Sequence, residues 1–230
     1  MNCVEVVDND VVLKLARYRL LAGTALSPPG ATGVLAPARF VVASRIRRDV
    51  APERQPDVLA ELEAFLAQAE ALEPSEAELR LALSLEDEAA RAGLALDVGE
   101  CQLFAIATSR GVPRVCTGDK RAAEALEDLA GAGVLPPGHE HLIVCFEQVM
   151  LGLLRSLGLD DCRPRVCADR AADRAISACF ACASSPSTED VVTGLRSYIR
   201  DLGRRCPVIL ALDEDLGPQE DRVGLHDAGD

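Results

Sequence analysis

Two short apolar runs, Val4-Glu5-Val6-Val7-Asp8 and Val112-Pro113-Arg114-Val115-Cys116-Thr117-Gly118-Asp119, each end in an acid where a helical pattern begins. Runs of this length, bounded by turn residues and followed by apolar positions at helical spacing, read as buried strands feeding helices. A third acid-bearing stretch, Leu96-Asp97-Val98-Gly99-Glu100-Cys101-Gln102-Leu103, opens another helix between them. Acids at the carboxyl ends of strands in an open α/β sheet converge on the crevice where such sheets bind ligands. Clustered carboxylates there call for a hard divalent cation.

The remainder of the chain keeps the alternation. Val11 to Leu21 carries apolar residues at helical spacing, Ser27-Pro28-Pro29-Gly30 marks a loop, and Val34-Leu35 precedes a helix from Pro37 to Arg48. Leu59, Leu62, Phe65, Leu66 and Leu72 form a helical stripe, and Ser75 with Glu78 forms a capping box for a helix through Arg91. A helix from Lys120 to Ala130, a strand from Leu142 to Phe146 and a helix from Glu147 to Leu157 complete the series. The expected fold is a three-layer α/β/α sandwich around a mostly parallel sheet, with a helical C-terminal extension. The expected boundaries are 1–158 for the sandwich, 159–213 for the cysteine-containing extension and 214–230 for an acidic, disordered tail.

Charge argues against a broad nucleic-acid footprint, because the net charge is -13 and only Lys14 and Lys120 are lysines. A local basic patch from Arg39, Arg45, Arg47 and Arg48 on one helix is the exception. Two Tyr, five Phe and no Trp leave no stacking platform, so contacts to a nucleic acid would fall on its backbone. No leader pattern opens the chain and no apolar run reaches membrane-spanning length, which leads us to expect a cytoplasmic protein with no membrane partner. In that setting nine cysteines read as thiols or metal ligands rather than disulfides.

Each acid also has a purely structural reading. Asp97 and Glu100 sit at N-cap and N3 spacing, Asp119 has the position of an N-cap, and Asp8 can simply start the helix that follows. Their shared position just past strands or in first helical turns is what argues for a common site.

The order of these segments resembles the PIN-domain family of metal-dependent nucleases. The residues that carry the resemblance are Val6-Val7-Asp8-Asn9-Asp10-Val11-Val12-Leu13-Lys14-Leu15, Gly99-Glu100 with Ala105-Ile106-Ala107, and Thr117-Gly118-Asp119-Lys120. They spread over the first two thirds of the chain. The resemblance implies an Mg²⁺- or Mn²⁺-dependent ribonuclease with Asp8, Glu100 and Asp119 as catalytic metal ligands and Thr117 and Lys120 near the RNA, while Asp97 or Asp10 is the candidate to replace a further family acid that the chain lacks. It also implies an antitoxin protein or a homodimer as partner, and a toxin-type role. One departure stands out: where the family usually carries a further Glu, this chain reads Pro37-Ala38-Arg39-Phe40-Val41-Val42-Ala43-Ser44-Arg45.

Two alternatives accompany the nuclease. The missing acid fits a degenerate PIN-like scaffold or interaction protein, and Asp8-Asn9-Asp10-Val11-Val12 also resembles the opening of haloacid-dehalogenase-like phosphatases, with Asp8 as nucleophile. In the extension, Cys162 and Cys167 with Cys179 and Cys182 have spacings open to a four-thiolate Zn²⁺ site, or to small core residues on an apolar helix. His139 and His141 read as a solvated turn.

Overall fold

The computed structural model of the chain describes residues 3–21 and 31–211. The loop expected at Ser27-Pro28-Pro29-Gly30 and the tail expected from residue 214 lie outside them. The first run forms strand β1 (Glu5–Val7), capped by Asp8 into helix α1 (Asn9–Tyr18). Strand β2 (Thr32–Leu35) leads to α2 (Ala38–Asp49), then a 3₁₀ turn at Pro52–Arg54 and α3 (Gln55–Leu66). The helical stripe ends at Leu66, because Leu72 belongs to β3 (Glu70–Leu72).

Two capping boxes then act as expected. Ser75 starts α4 (Glu76–Ala92) with Glu78 as its reciprocal partner, and Asp97 starts α5 (Val98–Arg110) with Glu100. Asp97 and Glu100 therefore follow a helix-to-helix connection rather than a strand. The second run forms β4 (Val115–Thr117), followed by α6 (Lys120–Gly131), β5 (Ile143–Cys145) and α7 (Phe146–Leu157). The extension supplies α8 (Leu159–Ala168), α9 (Arg174–Cys179) and α10 (Thr188–Arg205).

All pairings in the five-stranded sheet are parallel, in the order β3-β2-β1-β4-β5. The chain walks outward from β1 to β3, crosses back over the sheet through α4 and α5, and resumes at β4. With right-handed crossovers this puts α1, α2 and α3 on one face and α4, α5 and α6 on the other, giving the α/β/α sandwich. The strands are short, and all but the edge strand β3 are buried on both faces. Val6, Val7, Val115, Cys116, Ile143 and Val144 are all nearly inaccessible to water, as a sheet covered on both sides requires.

The extension packs into the same core: Cys162, Val166, Ile176, Phe180, Val191, Leu195 and Leu202 are buried in one cluster with the strands and α7. Its last residues also cover the β5 edge. His141 N–H donates to Val208 O (2.8 Å), Ile143 N–H to Ile209 O (2.8 Å) and Ala211 N–H to Ile143 O (2.7 Å), so backbone groups that would otherwise template a foreign strand are paired. Gln148 Nε2 donates to Ala211 O at 2.8 Å and fixes that segment to α7.

The extension corrects the cysteine reading. Cys167 and Cys182 form a disulfide, while Cys162 and Cys179 are separate buried thiols. A sulfur committed to a disulfide is no thiolate ligand, so the four do not make a zinc site. Cys101, Cys116, Cys145 and Cys206 are buried core residues, and Cys3 is half-buried. Among the described residues no helix is long and apolar enough to cross a membrane.

Candidate functional site

Strand order reverses between β1 and β4, whose neighbours diverge to opposite sides. This leaves a crevice above their carboxyl ends, the place where open α/β sheets bind ligands. Asp8 follows β1 directly, and Asp8 N–H donates to Cys116 O of β4 at 2.9 Å, tying the two strand ends together. Asp119 follows β4 after Gly118. The start of α5 lies over the same crevice and brings Asp97 and Glu100 to it. Together these acids and Asp10 line an open cleft of about 780 Å³, with Lys14, Arg45 and Arg121 as its cations.

The cleft divides electrically into two parts. In the first, Asp8 and Glu100 both line a small recess that also includes Leu103, Phe104 and Thr117. Asp8 Oδ2 accepts the Asp10 N–H (3.0 Å), and Glu100 Oε2 accepts the Asp97 N–H (2.9 Å). Among the described residues neither carboxylate has an ion-pair partner. Burial raises the Asp8 pKa above the usual carboxylate range, helped by the charges of Asp10 and Asp97. Burial likewise pushes Glu100 up to about 8, with Asp97, Asp119 and Asp8 adding repulsion. Carboxylates in this state favour a proton or a cation.

In the second part the acids already have cations. Asp10 accepts from Lys14 Nζ (2.7 Å) and from Arg45 (3.3 Å). Arg121 pairs with Asp119 at 3.0 Å through its guanidinium and also donates its backbone N–H at 2.8 Å. Partial burial of Asp119 works against ionisation, but the hydrogen bonds from the Arg121 side chain and backbone outweigh it and hold its pKa low. Burial also works against the charge of Lys14. The carboxylates of Asp10 and Asp173 more than offset that and raise its pKa.

Gly118 lets the β4–α6 turn pass close against the Asp10–Lys14 pair: a Cβ at that position would lie 2.5 Å from Asp10 Oδ2 and 3.0 Å from Lys14 Nζ, so those side-chain ends would have to shift.

The expected site residues are partly brought together. Asp8, Glu100, Asp119 and Asp97 share the cleft. Thr117 is buried beneath it, and its Oγ1 accepts the Asp119 N–H at 3.1 Å, so its role here is to shape the turn that presents Asp119. Lys120 does not line the cleft; its Nζ pairs with Glu147 at 2.5 Å and lies 4.5 Å from the centre of the Tyr198 ring. Of the four arginines on α2, Arg45 reaches the cleft, whereas Arg39 pairs with Glu63 and Arg48 with Asp49. Lys14 and Arg121 carry no sequence signal of their own: each becomes visible only when the sheet aligns the ends of β1 and β4. His139 and His141 contact the carbonyls of Pro136 and Leu210 through Nδ1, at 2.7 and 3.0 Å, as a turn away from the cleft.

Among the described residues no three His, Cys, Asp or Glu side chains are gathered into a ready-made metal group. The capping contacts of Asp97 and Glu100, and the Arg121 contact of Asp119, direct part of their oxygens elsewhere. The donors are nonetheless chemically suited to a divalent ion: they are carboxylate oxygens, and two of them, half-buried, have no ion-pair partner among the described residues. No protein-family model matches the chain, and no curated protein matches it in sequence.

Proposed function

We propose that the chain is a PIN-like, metal-dependent ribonuclease whose Mg²⁺ or Mn²⁺ site is formed by Asp8, Glu100 and Asp119, with Asp97 as a further donor. The observation that carries this reading is the pair Asp8 and Glu100. Two half-buried carboxylates line one recess at the switch point of a parallel sheet, without an ion-pair partner among the described residues. Such a pair is costly unless something positive occupies the space between them. A bound divalent ion would supply Lewis-acid polarisation of a phosphate and a more acidic bound water.

The chain's own residues prepare that chemistry. Asp8 is fixed by its N-cap contact and by the β4 backbone. Glu100 is held by its capping contact at the start of α5, where the helix end also favours negative charge. Arg45 and Lys14 border the acids from α2 and α1, where they suit the flanking phosphates of a nucleic-acid backbone. With overall charge at -13, such contacts are local rather than spread over the surface.

One observation favours a second reading, a scaffold without catalysis: Arg121 already neutralises Asp119, and Arg45 stands in the helix where the family usually places an acid. Calorimetric titration with Mn²⁺ separates the two. The nuclease reading expects saturable binding that is lost in Asp8→Asn and Glu100→Gln. A flat titration of the wild-type protein would leave the scaffold.

A further inference from the structure

Lys14 is the only described side chain that both lines the cleft and forms an ion pair with the C-terminal extension. Its Nζ lies 2.7 Å from Asp10 Oδ2 and 2.9 Å from Asp173 Oδ2. Asp173 belongs to the short connection between α8 and α9, far from α1 in sequence. Its Oδ1 accepts the Ile176 N–H at 3.0 Å to start α9, which turns the other oxygen toward Lys14.

The connection is held against α1 at several points. Arg17 makes two hydrogen bonds to Asp169, both 2.9 Å, and Arg54 adds a third contact at 2.8 Å. Tyr18 Oη donates to Asp173 O at 3.3 Å. The Cys167–Cys182 disulfide closes the segment that contains Asp169 and Asp173. This bracing fixes the position of one carboxylate relative to the cleft far more tightly than a surface ion pair needs.

An ammonium group has three donors. Asp10 and Asp173 accept two of them, and no third acceptor for Lys14 occurs among the described residues; the Phe146 ring centre is 5.1 Å from Nζ. The group is only 14% exposed, so a ligand oxygen entering the cleft meets a poorly hydrated donor that is already oriented. A phosphate oxygen is the acceptor that the acid-lined cleft, under the nuclease reading, would bring there.

We propose that Lys14 is the phosphate contact of the cleft and that Asp173, from the C-terminal extension, is its positioning residue, so that the extension completes the site. The substrate-contact part of this inference rests on the nuclease reading; the positioning part does not. Lys120, the lysine adjacent to Asp119 in sequence, does not line the cleft and is directed to Glu147 instead.

The chain holds only two lysines, so protein labelled with ¹³C and ¹⁵N at lysine gives two side-chain ammonium signals, assigned by Lys14→Arg. Asp173→Asn is expected to move the Lys14 signal and leave that of Lys120, with Asp173→Glu restoring most of the wild-type position. The Lys120 signal, set by Glu147 and Tyr198, reports that the variant is folded. An unmoved Lys14 signal in folded Asp173→Asn would overturn the positioning role.

Titration with a short oligoribonucleotide in chelator, beside inorganic phosphate, is expected to shift Lys14 selectively. Lys14→Gln should bind the oligonucleotide about tenfold more weakly. Full affinity in Lys14→Gln, or a Lys14 signal unmoved by both probes, would overturn the phosphate contact. Failure of the nuclease reading shows separately, as absence of Mn²⁺ binding in a protein whose Lys14 still responds to Asp173.

Discussion

Replacing Glu100 by Gln removes a half-buried ionisable group while keeping the hydrogen-bond acceptor that its capping box needs. Glu100 has an unperturbed value of 4.5, raised to about 8 by burial and by neighbouring acids. Between those values the unfolded chain carries the side chain ionised and the folded chain holds its proton. The folded state therefore binds more protons, and stability falls as pH rises through this window. The full shift corresponds to a ceiling of about 5 kcal/mol. Because the cleft is open to water, we expect about 2 kcal/mol to be felt, or about 6 °C in Tm for a chain of this size. Thermal unfolding of wild type and Glu100→Gln from acid to mildly alkaline pH should give curves that diverge by this amount above neutrality, with the variant the more stable. Mn²⁺ should act in the opposite direction, stabilising the wild type more as pH rises, because its ligands must be deprotonated. Parallel curves for the two proteins across the window would refute the reasoning that Glu100 is held protonated by its surroundings.

Gly118→Ala should destabilise by about 1–2 kcal/mol in urea unfolding and displace the Lys14 ammonium signal, because the added Cβ would meet Asp10 and Lys14 at 2.5 and 3.0 Å; unchanged stability and signal would show that the turn has room. Asp169→Ala leaves the mostly buried Arg17 without its carboxylate and should cost about 3 kcal/mol, read from the shift in the urea midpoint at constant slope. Cys167→Ser/Cys182→Ser opens the segment of sequence separation 15 and should cost about 3 kcal/mol. Dithiothreitol should lower the Tm of the wild type but leave that of the double variant unchanged.

The parts of the structure that sequence reveals are those determined locally. Ser75 with Glu78 and Asp97 with Glu100 mark their helix starts because the partners in a capping box are only three residues apart. The β1 and β4 runs are readable because burial on both faces makes them predominantly apolar. Strand β3 carries no such pattern: Glu70 and Ala71 are not buried, and Leu72 alone turns inward, in a position that also continues the helical stripe of α3. The site splits along the same line. Asp8, Glu100 and Asp119 can be read from their position at element ends, whereas the Lys14–Asp173 pair joins segments that only the packing of α8 and α9 against α1 brings together. Lys120 shows the converse, since it lies next to Asp119 in sequence but does not line the cleft. Adjacent residues at the start of a helix project roughly 100° apart around its axis, so a lysine next to an acid in sequence need not share its cleft. The Cys167–Cys182 disulfide lies beyond local reading as well, because cysteine spacing alone does not fix pairing.

The measurement that bears most directly on the central claim is cleavage of end-labelled structured and unstructured RNA by the purified full chain. It would be run with Mn²⁺, with Mg²⁺ and with chelator, beside Asp8→Asn/Asp119→Asn. The account predicts cutting that requires the metal and disappears in the double variant, while the variant remains folded. Intact RNA under every metal condition, from a wild-type protein that also fails to bind Mn²⁺, would contradict it.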